Sequence, residues 1–372
     1  MAHKYLKALL ASTTLFFATT CAFAQIDRAP PHNQGFSTKQ HEMMGIYNAP
    51  GRIDIKGDWD IYFTGEFLWW QAKEDGLEYA LSQPNGQAFR PNIGGNFIRM
   101  DFDYKPGYRL AFGWNTNFDN WTLEAEYTNL RVLLSDHTFA PTAGVLFPLW
   151  FNFDSNRINV APTTDHASSK ADARWRLRLD ILDFAFSRAC YVGTKFILKP
   201  HTGLRAAWIR QGYGADYLVF TDFTTGASFP ASSRSKSTSW ALGPRVGMDT
   251  AWMLSKDFRL FGNIATSILF TDYTVRLRQT DMINLDPLNP IINVTNKINQ
   301  IRPNMECAVG FGWGTFLDRL NGHLDLSASY EFHLFWDQNM MRSLKDTIVS
   351  NVIEDNGSLY LQGLTISARF DF

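Results

Sequence analysis

The final strand constrains this chain more than any other segment. In 359-LYLQGLTISARFDF-372, Leu364, Ile366, Ala368, Phe370 and Phe372 share one side, and Gly363, Thr365, Ser367, Arg369 and Asp371 share the other. A period of two with faces this well separated describes a β-strand between two different solvents. A soluble domain seldom ends on an unprotected strand carrying two terminal Phe side chains. A closed transmembrane cylinder accommodates it, with the apolar side toward lipid and the polar side toward the lumen. By analogy with that class of barrel, Phe372 is the expected contact for barrel-assembly machinery.

The other end of the chain agrees. His3, Lys4 and Lys7 form a basic opening, residues 8–18 are apolar or small, and Ala22-Phe23-Ala24 supplies a cleavage site before Gln25. The expectation is a signal peptide over 1–24, cleaved after Ala24, and export to the bacterial outer membrane. A lipoprotein reading through Cys21 is weaker, because Ala18-Thr19-Thr20 is a poor lipobox.

Composition narrows the class. The longest apolar cluster, residues 145–151, is short and interrupted by Pro148, so no helical span is available. Yet 45% of residues are hydrophobic and 15% aromatic, including 12 Trp and 30 Phe. Alternating lipid-facing strands produce that combination, although a β-rich secreted domain shares it. A net charge of −1 argues against a nucleic-acid partner. Beyond the expected cleavage site only Cys190 and Cys307 remain, too few for a disulfide scaffold. They are either one bond or two small strand residues, and the second reading is the simpler.

Residues 25–57 are rich in Pro and Gly with little periodicity and read as an N-terminal periplasmic arm. Residues 58–372 read as an all-β, transmembrane antiparallel β-barrel. Strand-like blocks occur at 59–70, 107–115, 121–130, 173–187, 192–213, 237–253, 258–275, 305–315, 323–336 and 359–372. That is an even count of about ten, with up to about 16 possible, and further strands hidden in 71–106 or 276–302 would widen the barrel. The short connections (117–120, 188–191, 255–257, 317–322) all fall at the periplasmic end. The long ones (71–106, 132–172, 214–236, 276–302, 338–357) all fall outside, as outer-membrane barrels require. Eleven of the 12 Trp lie near two levels, as interfacial girdles do; Trp69, Trp70, Trp175, Trp208, Trp240 and Trp336 are assigned to the outer one.

Alternation assigns the lumen. The inward candidates are Arg109, Glu124, Glu126, Arg174, Arg176, Arg178, Asp180, Arg205, Arg245, Asp249, Glu331 and Arg369, joined by Lys195, Glu306, Asp325, His333 and Asp371. Charges facing lipid would cost ~2–4 kcal/mol each at the midplane. The Arg174-Arg176-Arg178 ladder is expected either to favour anions in a pore or to pair with Glu124 and Glu126 as a buttress. A ten-stranded cylinder has a backbone radius of ~10 Å, which leaves a narrow bore. The segment 144-GVLFPLWF-151 is expected to fold inward as a constriction, to meet a neighbouring copy in a homo-oligomer, or to pack as a loop tip.

Catalytic patterns are thin. The chain lacks G-x-S-x-G, H-E-x-x-H, C-x-x-C and a phosphate loop. Asp136, His137, Asp165 and His166 are acid–base groups in one outer loop, but such pairs are more often solvated. His32, His41, Met43 and Met44 read as arm residues rather than a metal site. The expectation is a non-enzyme without cofactors, with outer-membrane lipids and small hydrophilic solutes as its partners.

Three segments resemble the Legionella and chlamydial major outer membrane protein-like family: 64-TGEFLWWQAKEDGLEYA-80, 104-YKPGYRLAFGWNTNFDNWTLEAEYTNL-130 and 200-PHTGLRAAWIRQ-211. The resemblance implies a surface-exposed, pore-forming barrel passing small hydrophilic solutes or ions. The small number of mature cysteines departs from the cross-linked envelope role of chlamydial members. The alternative to a pore is a non-conducting surface barrel acting as adhesin or structural envelope protein.

Overall fold

In the computed structural model the described residues are 51, 60–83, 95–116, 118, 120–142, 144–151, 167–222, 227–281, 290–317, 322–350 and 356–372. The expected signal peptide and arm lie outside them apart from Gly51, as do Trp59, Asp165 and His166.

The strands are β1 (Ile61–Glu74), β2 (Ala80–Gln83), β3 (Asn96–Ile98), β4 (Tyr104–Asn115), β5 (Trp121–Phe139), β6 (Val145–Pro148) and β7 (Ser168–Arg188). They continue with β8 (Cys190–Val192), β9 (Phe196–Asp222), β10 (Ala227–Met253), β11 (Phe258–Asp281), β12 (Ile292–Leu317) and β13 (Gly322–Asn339). A helix, α1 (Met340–Ser350), precedes β14 (Gly357–Asp371). Ten of these strands close an antiparallel barrel in the circular order β1-β4-β5-β7-β9-β10-β11-β12-β13-β14. The final strand closes the cylinder against the first, with Phe63 opposite Phe370 and Trp69 opposite Leu364. Every hairpin anticipated from the alternation forms. Cys190 and Cys307 are free thiols.

Two aromatic levels locate the bilayer. Trp208 pairs with Trp240, and Phe196 pairs with Trp252; all four are exposed on the outer face. From Trp240 to Trp252 is twelve residues of β10, about 30 Å at ~3.3 Å per residue and ~40° tilt. Leu204, Leu242, Val246, Ile264 and Ile268 fill the outer face between the levels.

The wall does not stop there. β9 and β10 have 27 residues each, roughly 65–70 Å of height. The expected outer loops 214–236 and 276–302 are therefore mostly extended hairpin, and the barrel projects far beyond the membrane. Within its mouth β3, β2 and β6 form a small sheet joined to β7 through Leu146 and Ser168. Near the end of β13, Asp337 takes a left-handed φ of +51°, and α1 packs against β10 and β11. The Asn339 side chain caps α1, its Oδ1 accepting from the Arg342 N–H at 3.2 Å. β10 makes room by turning Ser233, Ser235, Ser237, Ser239 and Ala241 inward.

Candidate functional site: a charged vestibule beneath an apolar plug

The interior divides into two zones. In the membrane-embedded half, strand alternation sends polar side chains inward to line a cavity of about 620 Å³ reaching the short-turn end. Its lining holds nine carboxylates against six Lys or Arg and three His, so with neutral imidazoles the vestibule is net acidic.

The charges bridge strands that are not neighbours. Arg109 on β4 grips Glu331 on β13 through two nitrogens, at 3.2 and 3.0 Å. It also meets Glu66 at 2.7 Å and Glu126 at 3.2 Å. Glu331 lies 3.1 Å from His333, which lies 3.3 Å from Glu306. Glu306 contacts Arg245 and, at 2.7 Å, Arg205. Arg205 in turn holds Asp183 at 2.7 and 2.6 Å. This belt crosses the lumen of a cylinder whose radius leaves little bore. Breaking one buried partner leaves an uncompensated charge and costs about 3–5 kcal/mol.

Nearer the short turns, Glu124 accepts from Tyr62 and faces Lys199 at 3.6 Å, while Asp249 lies 3.6 Å from His201. Arg369 stacks over the Tyr62 ring at 3.6 Å. A Cβ at Gly113 would collide with that ring, so glycine is what allows Tyr62 to lie against the wall. Arg259 pairs with Asp325, and His323 lies 3.2 Å from Asp371.

Above the belt the interior turns apolar. Leu68 and Trp70 from β1, Leu130 from β5, Trp175, Leu177 and Leu179 from β7, Tyr213 from β9 and Tyr273 from β11 are buried together. The connections supply the centre of this plug. Trp150 is fully buried; its indole N–H donates to the Glu78 carbonyl at 2.8 Å and its ring lies 4.4 Å from that of Tyr213. Tyr213 and Tyr217 donate to the carbonyls of Leu77 and Tyr79 at 3.1 and 2.6 Å. Met340, Met341 and Leu344 add the buried face of α1. These side chains fill the described lumen between vestibule and outer mouth. Of the three expectations for 144–151, the inward fold is the one observed.

Arg109, Glu124, Glu126, Arg205, Arg245, Asp249, Glu331 and Arg369 all line the lumen, as do Glu306, Asp325, His333 and Asp371. Five lumen assignments are overturned. Arg174, Arg176, Arg178 and Asp180 point outward, because Trp175, Leu177 and Leu179 occupy the inside of β7. The ladder is therefore neither a lumen filter nor a buttress for Glu124 and Glu126; Asp180 pairs instead with Arg131 on the outer wall at 3.1 Å. Lys195 is exposed in the turn before β9. Trp70 and Trp175 leave the outer girdle for the plug. Glu66, Asp183, Lys199, His201 and Arg259 are lumen residues that sequence reasoning missed; Lys199 and His201 share the phase of Arg205 and were legible from it.

No group of three or more His, Cys, Asp or Glu residues is set to hold a metal ion among the described residues. On the outer wall, Ser135, Asp136, His137, Asp172, Arg174 and Asp216 border a groove of about 390 Å³. Asp136 is occupied there by the Tyr79 hydroxyl at 3.2 Å and the His137 N–H at 2.8 Å.

A family model described as the Legionella pneumophila major outer membrane protein precursor matches residues 54–372. Among solved structures, the Escherichia coli outer membrane protease OmpT is similar at 12% identity, covering 87% of this chain and 99% of its own, with a TM-score of 0.45. A major outer membrane protein from Thermus thermophilus matches at 10% identity, 84% and 99% coverage and a TM-score of 0.27. A Pseudomonas aeruginosa FadL homologue matches at 7% identity, 84% and 89% coverage and a TM-score of 0.25. No curated protein matches the chain.

Proposed function

The chain belongs to the family of the Legionella pneumophila major outer membrane protein precursor and resides in the outer membrane, and from that premise we propose a closed, surface-exposed barrel that presents its tall outer wall rather than passing solutes freely. One observation carries the reading: the ion-pair belt from Arg109 to Arg205 links non-neighbouring strands across the lumen, and the buried apolar plug around Trp150 fills it above. Water-filled pores need a continuous polar path, and the fully buried Trp70, Trp150 and Trp175 interrupt it. In this reading the barrel carries out no catalytic step. Its role is structural or adhesive, exercised through the extramembrane wall.

A second reading, a gated porin for small hydrophilic solutes or ions, is favoured by the origin of the plug. Trp150 and α1 belong to connections between barrel strands and are removable without breaking the cylinder. The acidic vestibule beneath them would then prefer cations, the opposite of what the Arg ladder suggested.

Planar-bilayer recording of the purified full chain decides between them. The closed-barrel reading expects no unitary current from wild type or from Trp150→Ala. Unitary currents from wild type would overturn it. Currents that appear only in Trp150→Ala or on deletion of 144–151 would establish the gated pore.

A further inference from the structure

The outward ladder on β7 belongs to a larger surface. Immediately above the Trp208–Trp240 level, Arg178 and Arg210 are register partners on β7 and β9. In the next row Arg176 is followed, across Gly212, by Lys236 and Arg276 on β10 and β11. Arg174, Arg234 and Arg278 form a third row by the same route through Gly214. Four adjacent strands thus turn a cationic face outward where the hydrocarbon ends.

These charges are largely unneutralised. Arg131 pairs with Asp180, and Arg234 pairs with Asp216 at 2.7 Å. Arg174, Arg176, Arg178, Arg210, Lys236 and Arg276 are exposed and form no ion pair among the described residues. The feature is confined to one side. Above Trp69 and Leu364 on the opposite wall, the outward positions are Gln71, Lys73, Gln362 and Tyr360, with one cation among them. In a chain of net charge −1, so one-sided a concentration of positive charge makes a specific electrostatic surface rather than a general bias.

The strands that carry the cations present Leu204, Leu242 and Ile268 just below, all exposed toward lipid. The face is therefore amphipathic along the membrane normal, cationic at the headgroup level and apolar beneath. Guanidinium groups bind phosphate bidentately and dehydrate more readily than ammonium groups. We propose that this face docks a phosphorylated lipid of the outer leaflet. Its phosphates lie among Arg176, Arg178 and Arg210, and its acyl chains lie along Leu204, Leu242 and Ile268. Height selects this occupant: a soluble polyanion would gain nothing from the apolar strip.

The test uses the full chain in neutral detergent micelles and native mass spectrometry. The probes are a bis-phosphorylated glucosamine-disaccharide lipid, its dephosphorylated form, and inorganic phosphate. Wild type should bind the bis-phosphorylated lipid at least tenfold more tightly than the dephosphorylated one. Arg176→Gln combined with Arg178→Gln and Arg210→Gln should remove that preference, whereas Lys73→Gln on the opposite wall should retain it. Folding is checked by heat-modifiable migration, and Arg210→Gln alone, with a partial loss, replaces the triple variant if that variant does not fold. Equal binding of the two lipids by wild type, or an undiminished preference in the folded arginine variants, would overturn the proposal. Millimolar inorganic phosphate displacing the lipid completely would reassign the patch to free anions and overturn the lipid docking.

Discussion

The two halves of β7 obey one rule with opposite results. Toward the short turns, Leu182, Phe184 and Phe186 face outward and Asp183 and Ser187 inward; toward the mouth, Arg174, Arg176 and Arg178 face outward and Trp175, Leu177 and Leu179 inward. The period of two never breaks, and no bulge intervenes between Arg174 and Ser187. What changes is the pair of solvents. Within the bilayer the outside is hydrocarbon and the inside is a wet, charged vestibule. Beyond it the outside is water and the inside is an apolar plug. Amphipathic alternation therefore reports that two environments differ, and a membrane boundary decides which is which.

The interior half of the comparison predicts the largest losses. Arg205→Ala removes the two-pronged partner of Asp183 and one of the cationic contacts of Glu306, and Trp175→Ala opens a cavity in the plug. Each should destabilise the barrel by about 3–5 kcal/mol, measured by urea titration with heat-modifiable migration as the readout. The two differ in their remedy. Asp183→Asn should recover part of the Arg205→Ala loss, because these groups are coupled at 2.6–2.7 Å. The same change should return nothing to Trp175→Ala. Recovery in both backgrounds would mean that the two zones are not energetically distinct.

The exterior half predicts a smaller asymmetry. Phe184→Arg places a charge against hydrocarbon and should cost about 2–4 kcal/mol, while Arg176→Leu lies beyond the hydrocarbon and should stay within about 0.5 kcal/mol. A labelling experiment sharpens this without reference to stability. In a background with Cys190 and Cys307 replaced by Ser, cysteine at 176 should react on intact cells with a membrane-impermeant maleimide. Cysteine at 175 should not. Reversal of that pattern would return the ladder to the lumen.

Sequence periodicity revealed the ten barrel strands and their hairpins because each contains a stretch bounded by lipid on one side. The residues that misled lie beyond that stretch. In 231-ASSRSKSTS-239 small residues alternate with bases, which reads as a polar loop until the wall is known to extend into water with Ser233, Ser235 and Ser237 turned toward a plug. The twelve-residue spacing of Trp240 and Trp252 was the available marker of the boundary, and applying it to β7 would have placed Arg178 outside the hydrocarbon. Partner choice in the vestibule was not legible. Arg109 and Glu331 are separated by 222 positions and meet only because barrel closure brings β4 and β13 across a narrow bore. The helix α1 was missed because the buried apolar residues among its described side chains, Met340, Met341 and Leu344, make too short a pattern to stand apart from a loop.

That helix supplies the smallest effect and tests the mouth alone. Asp346 is buried in the plug's outer layer, where Arg342 donates to it at 2.7 Å and Lys345 at 2.5 Å. Burial pushes its carboxyl up, but the hydrogen bonds and charges of Lys345 and Arg342 outweigh burial and hold it below the ordinary carboxylate range. A depressed acid stabilises the fold fully above its unfolded value, and that contribution is lost as pH falls through the folded value. Stability assigned to the mouth should therefore be flat through neutral pH and fall only in strongly acidic solution. Asp346→Asn should remove about 1–2 kcal/mol from the local opening of α1, read by hydrogen exchange of its amides. The ion pairs of the Arg109–Arg205 belt should be untouched. If Asp346→Asn instead lowers global stability as far as Arg205→Ala does, the plug and the vestibule unfold as one unit, and the division seen along β7 is structural without being energetic.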